Sequence, residues 1–136
     1  MAKKIIIDAA GEVRGRVASF AAKQALAGNE IVVLNSEKAI ISGRPVQNIE
    51  DYKLQRALNT MKPEKGPFFS KIPERMMKRT IRGMVPDFRV GRGREAFKRI
   101  KCYAGIPEEF KNEKAIKINS QVPLRHMTIE ELSKKA

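Results

Sequence analysis

Arg75, Lys78, Arg79 and Arg82 follow Pro73 at intervals that, at about 100° per residue, gather them within an arc of roughly 100° on a helix. Ile72, Met76, Met77, Thr80, Ile81 and Met84 take the other side, so one face is suited to packing and the other to meeting anions. Arg94, Lys98 and Lys101 repeat the device at i, i+4 and i+7, with Ala96, Phe97 and Ile100 facing elsewhere. Solvated helix faces commonly intersperse acids for i to i+4 pairing, and these two basic ridges contain none. The chemistry they suit is the neutralisation of phosphates. Gly91-Arg92-Gly93-Arg94 reads as a flexible cationic turn between them. Arg14 and Arg16 sit where a helix is expected to begin and oppose its dipole, a penalty that a nearby phosphate reverses.

Other chemistries are less well supported. A glycine-containing turn between a strand and a helix invites a dinucleotide, with Glu37 as the ribose-binding acid, but Gly11 and Gly15 form G-x-x-x-G rather than G-x-G-x-x-G. There is no Walker sequence. His126 lacks an adjacent nucleophile signature, and no acid pair falls in a recognisable catalytic motif. Cys102 and His126 are the sole members of their types, too few for a zinc site of the usual kind, and read as a core thiol and a surface imidazole. No metal or cofactor is expected. Phe68 and Phe69 are able to stack on unpaired bases, yet adjacent phenylalanines more often anchor a loop in a core, and they stay outside the expected site.

The composition agrees with an anionic partner. The chain has 136 residues, 28 of them Lys or Arg against 15 Asp or Glu, a formal charge of +13 and 42% hydrophobic residues. That is one domain's length with enough apolar content for a core, which excludes a merely charged, disordered tail. Self-repulsion of this size calls for a polyanion, with nucleic acid and an acidic membrane surface as candidates. The excess is local: residues 62–101 hold 13 basic and 4 acidic residues, against 9 and 6 before them and 6 and 5 after. The longest stretch free of Asp, Glu, Lys and Arg runs only from Ile118 to Leu124, far short of a membrane span, and Ile5-Ile6-Ile7 is too brief for a secretory signal. A cytoplasmic protein without a membrane partner is expected.

The elements that must position these cations read as α/β. Ile5-Ile6-Ile7 is a β-branched run, Val13, Val17, Ala21 and Ala25 recur at helical spacing until Gly28-Asn29, and Ile31-Val32-Val33-Leu34 is a second buried strand. Strand, helix, strand makes a right-handed parallel crossover. Pro45 starts a second helix reaching about Asn59, whose apolar residues Val46, Ile49, Leu54 and Leu58 form a blurred stripe. Residues 61–67 read as a loop. Pro73, Glu74, Gly83 and Pro86 supply start and stop signals for a helix over Pro73–Arg82. A further strand is expected around Cys102, an edge strand at Ala115–Ile118, and a short final helix behind the Thr128-x-x-Glu131 capping box.

Asp8-Ala9-Ala10-Gly11-Glu12-Val13-Arg14-Gly15-Arg16-Val17-Ala18-Ser19, Val33-Leu34-Asn35-Ser36-Glu37 and Ser42-Gly43 resemble the large-subunit ribosomal protein family numbered thirteen. Arg79-Thr80-Ile81-Arg82-Gly83-Met84-Val85-Pro86, then Arg92-Gly93, Ala96, Arg99-Ile100-Lys101 and Gly105-Ile106-Pro107, resemble its basic core in matching order. Gly66-Pro67-Phe68-Phe69 is similar to the archaeal and eukaryotic branch, while Asp87 stands where that pattern has histidine. The resemblance implies a three-layer α/β fold: a small, mainly parallel sheet with helices on both faces and a basic helical and loop extension. It also implies that residues 1–136 form a single ribosomal RNA-binding domain, including loop 61–71 and basic segment 62–101. On this reading the chain is a non-catalytic constituent of the large subunit. It contacts large-subunit rRNA and neighbouring ribosomal proteins, contributes to subunit assembly, and needs no obligate homo-oligomer. Arg75, Lys78, Arg79, Arg82, Arg92, Arg94, Lys98, Arg99 and Lys101 are then the phosphate-neutralising set, extended by Arg14, Arg16 and Arg44. The rival expectations are a freestanding regulator that binds messenger RNA and a small nucleotide-binding enzyme using the Gly11 turn.

Overall fold

Strands that are apolar on both faces belong in a covered parallel sheet, and the β-branched runs of this chain form one. The computed structural model, which describes residues 2–58 and 61–136, runs β1 (Lys4–Asp8), α1 (Arg14–Leu26), β2 (Glu30–Leu34), β3 (Ile40–Ser42), α2 (Pro45–Ala57), α3 (Pro73–Arg82), α4 (Gly91–Lys98), β4 (Ile100–Cys102), β5 (His126–Thr128) and α5 (Ile129–Lys135). Short 3-10 turns lie at Ser36–Lys38, Pro63–Lys65 and Glu108–Phe110. The sheet has the order β1-β2-β4, all parallel, with Ile6 opposite Val32 and Ile31 opposite Ile100.

Ile7, Ile31, Val33 and Ile100 turn to one face, where α1, α3 and α4 cover them. On its inner side α1 presents Val17, Ala18, Ala21, Ala22 and Ala25, small side chains that let it lie close to the sheet and to α3. Gly28, at φ +100°, turns the chain out of this helix. Ile6, Val32 and Leu34 turn to the other face, where Phe110 of a 3-10 turn packs on them with Tyr103. The two faces are thus unequal: three α-helices cover one, a single tight turn and its flanking chain the other.

Several expectations are corrected. The second basic ridge is not one helix, because α4 stops at Lys98 and Lys101 stands on β4. Gly91-Arg92-Gly93-Arg94 is the first turn of α4 rather than a flexible loop. A Cβ on Gly93 would stand 1.6 Å from the Pro86 carbonyl oxygen, so glycine is needed there for close approach. Ile72 and Met84 flank α3 rather than join its buried stripe, and each is more than 40% exposed. α2 buries none of its residues, which explains its blurred stripe, and the expected end at Asn59 lies outside the described residues. Ala115–Ile118 is not a strand: Ile116 alone bridges the outer edge of β1, its amide donating to the Ile6 carbonyl at 2.8 Å and its carbonyl accepting from the Asp8 amide at 3.0 Å.

No pattern in the sequence announces the antiparallel pair β3–β5, in which Ile41 faces Met127. It places α5 beside α3 and α2. Thr128 Oγ1 accepts from the Glu131 amide at 3.2 Å, the cap expected of that helix.

Candidate nucleic-acid interface

α3 forms where expected because Pro73 opens it, Met76, Met77 and Ile81 bury against α1 and the sheet, and Gly83 caps it. Its outer cations do not simply extend into solvent. The Arg79 guanidinium lies 4.0 Å from the centre of the Phe69 ring and its Nη1 donates to the Phe68 carbonyl at 2.8 Å. Arg82 lies 4.7 Å over Phe88, and Lys78 Nζ 5.0 Å over Phe97. Phe88 and Phe97 touch each other at 6.1 Å between centres. An aromatic seam joining α3 to α4 therefore seats the cations through ring-face attraction, which holds their stems and leaves their charges unneutralised.

Arg75, Lys78 and Lys101 share one cleft, so the structure brings Lys101 to the first ridge from a strand instead of a helix. Arg92, Arg94 and Lys98 are exposed on α4. Arg14 is half-buried and lines a second cleft with Arg79 and Tyr52. Burial pulls the Arg14 pKa down, opposed by Tyr52. Arg82 is lowered likewise, by burial first and then by the like charges of Arg79 and Arg89. Burial raises the Tyr52 hydroxyl against the pull of Arg56, Arg79 and Arg14. Arg16 and Arg44 are exposed, and neither lines these clefts. Arg99 is turned inward, with Nη1 donating to the Ala25 carbonyl at 3.1 Å and Nη2 3.8 Å from Glu95 Oε2. It is the only one of the expected cations that makes an ion pair among the described residues. Arg89 is an addition to the expected set: it lies 5.4 Å over Phe88 between the ridges. The succession Arg82, Phe88, Arg89 is the signal that could have found it.

Two acids of this region are held by backbone amides. Glu74 Oε2 accepts from the Ala104 amide at 3.2 Å, and Asp87 Oδ1 from the Arg89 amide at 3.1 Å. The Gly11 turn is equally occupied. The amides of Ala9, Ala10, Gly11, Glu12 and Val13 donate in turn to Leu34 O, Asp8 Oδ1, Lys38 O, Ala9 O and Ser120 Oγ, so none of these five is left to cradle a pyrophosphate. Glu37 Oε2 accepts from the Gly105 amide at 2.9 Å, a scaffold contact rather than a ribose site. Cys102 packs against the core, and burial, with Glu74 adding to it and Lys78 opposing, pushes its thiol up to about 12, far from a reactive thiolate. His126 is exposed, and no group of three His, Cys, Asp or Glu able to hold a metal gathers among the described residues.

Residues 2–109 match the model of ribosomal protein L13. The chain belongs to that family. It is 46% identical over 114 residues to the large ribosomal subunit protein uL13 of Methanosarcina barkeri, covering 83% of this chain and 79% of the relative. The uL13 of Methanococcoides burtonii is 42% identical over 113 residues, again 83% and 79% of the two chains. That of Methanocaldococcus jannaschii is 40% identical over 133 residues, 95% of this chain and 94% of the relative. These relatives are archaeal, in keeping with the Gly66-Pro67-Phe68-Phe69 resemblance. No helix among the described residues is long and apolar enough to cross a membrane.

Proposed function

We propose that this L13-family chain is a structural, non-catalytic constituent of the large ribosomal subunit, acting in the cytoplasm. Residues 1–136 serve as one domain that binds folded large-subunit rRNA, contributes to subunit assembly and abuts neighbouring ribosomal proteins. The observation that carries the reading is the set of cations on α3, α4 and β4 that are seated on aromatic rings or exposed, with carboxylate pairing, among the expected cations and the described residues, confined to Arg99. Phosphates drawn together by RNA tertiary folding supply the missing counter-charge. Arg75, Lys78, Arg79, Arg82, Arg92, Arg94, Lys98 and Lys101 form the principal contact, with Arg14, Arg16 and Arg44 at its margin. Arg99 acts mainly by joining α4 to the end of α1.

Such contacts fix position and give salt-sensitive affinity, while specificity comes from the shape of the folded RNA. Co-sedimentation tests the proposal. The chain is expected to travel with large subunits at low salt and to be released as salt rises. Residence in the free pool at low salt, with binding to messenger RNA, would replace this reading with the regulator.

A further inference from the structure

Phe68 is 69% exposed, yet the backbone around it is held from several directions. Its carbonyl accepts from Arg79, and Phe69 lies beneath the same guanidinium and edge-on to Tyr52. The Tyr52 hydroxyl donates to the Ser70 carbonyl, the Ile72 amide to Ser70 Oγ at 3.1 Å, and Ser133 Oγ to the Lys71 carbonyl. A large apolar ring on a loose loop is ordinary, whereas a loop ordered by this many contacts that still presents one to water needs a reason. The phenyl ring of Phe68 makes no contact with another ring or with a cation among the described residues. It lines a cleft of about 500 Å³ with Arg75, Lys78, Arg79, Arg82 and Phe97, and no carboxylate lines that cleft.

We propose that this cleft holds an unpaired nucleotide of RNA, its base stacked on Phe68 and its flanking phosphates on Arg75, Lys78 and Arg82. The inference rests on the rRNA reading and adds the form of RNA recognised. A duplex offers this surface phosphates alone, because its bases are stacked within, and leaves the phenyl ring unused. An unpaired nucleotide brings a π-face and a negative charge together, the combination that the cleft provides for. An apolar side chain from a protein would cover the ring and leave the surrounding cations without acceptors.

The full chain is titrated with a single-stranded oligoribonucleotide and with a blunt RNA duplex of equal length. Phe68→Ala is expected to lower the ratio of single-strand to duplex affinity about tenfold, with the thermal melt unmoved because the ring is exposed, and Phe68→Tyr to restore it. Phe68→Trp places one indole in a chain that has none, and its fluorescence is expected to be quenched by the single strand and not by the duplex. An unchanged ratio in Phe68→Ala, or quenching by both RNAs alike, overturns the stacking proposal while leaving the rRNA reading intact. An unchanged ratio accompanied by loss of a ribosomal-protein neighbour from the subunit-bound chain also overturns it, by assigning the ring to a protein. If the unaltered chain binds neither RNA and does not sediment with subunits, the rRNA reading itself falls.

Discussion

Arg75 and Arg79 are alike in type and stand on one helix face, but the structure gives them different work. Arg75 is exposed at the cleft rim, while Arg79 closes the loop before α3 onto its own helix. Replacing Arg75 and Arg94 together by Ala is expected to reduce the slope of log affinity against log salt by roughly 0.7–0.9 for each phosphate left unneutralised. The urea midpoint should stay unchanged, and titrations at several salt concentrations, paired with urea melts, measure both arms of this claim. Arg79→Ala is expected to lower stability as well, by about 1 kcal/mol, since a hydrogen bond and a ring contact go with the charge. Urea denaturation without RNA reads that loss directly, and a charge reversal at Arg79 is a poor test of RNA contact for the same reason. The identity and spacing of the cations were legible in the sequence. Their seats were not, because Arg79 reaches back to Phe68 in the preceding loop and Arg99 reaches Ala25 across the fold, and periodicity along one helix says nothing about such partners.

Elements with strong local signals stand where the sequence puts them. α3 begins and ends at its proline and glycine, and the β1-α1-β2 crossover follows from β-branched runs and a small-residue stripe. Three-residue strands such as β3 and β5 carry too little pattern to be seen, and their pairing is decided by chain far apart in sequence. Gly93 misleads because a glycine in a basic tract looks like flexibility when it is a point of close packing. Gly→Ala inside a helix ordinarily stabilises by up to about 1 kcal/mol. Gly93→Ala is expected to do the reverse, by about 1–3 kcal/mol, as α4 is pushed off the Pro86 carbonyl. A lowered thermal midpoint confirms the sign.

Glu12 ties the turn before α1 to the late segment at 119–120 through its carboxylate, which accepts from the Asn119 amide at 3.2 Å, the Ser120 amide at 2.9 Å and Ser120 Oγ at 2.5 Å. Burial by itself would raise its pKa. The Ser120 hydroxyl and amide, the Asn119 amide and the Lys117 charge outweigh burial and hold it below the ordinary 4.5. A carboxyl lowered in the folded state contributes stability that is fully present above its unfolded value and lost as pH falls through the folded one. Glu12→Gln is therefore expected to flatten the acid limb below about pH 4.5 and to lower stability at pH 7, as urea midpoints at the two pH values will show.

The whole molecule carries +13, most of it between residues 62 and 101, and that imbalance was legible from the sequence alone. Without RNA those charges repel one another, screened over about 10 Å in 0.1 M salt. The free chain is thus expected to melt at higher temperature as ionic strength rises, and higher still at low salt when a polyphosphate is supplied. A melting temperature indifferent to both would show that self-repulsion does not limit this fold. The sequence was far less informative about residues 111–136, where Ile116, Ser120, β5 and α5 return separately to β1, the approach to α1, β3 and α3. The Thr128 capping box marks α5 itself, but each return is short and its partner lies far away in sequence, so no local pattern marks where it docks.

These late returns bear on how the chain is made. Val13 and Glu12 find their Ser120 partners 107 and 108 positions downstream, and Ile116 is what occupies the outer edge of β1. During translation the first strand therefore emerges with the row of amides and carbonyls on its outer edge open, and the Ile6 carbonyl and Asp8 amide within it gain their partner only when residue 116 has been added. A stalled or truncated product offers that row to any other unfinished polypeptide nearby, which makes early arrest the stage of its biogenesis most prone to aggregation.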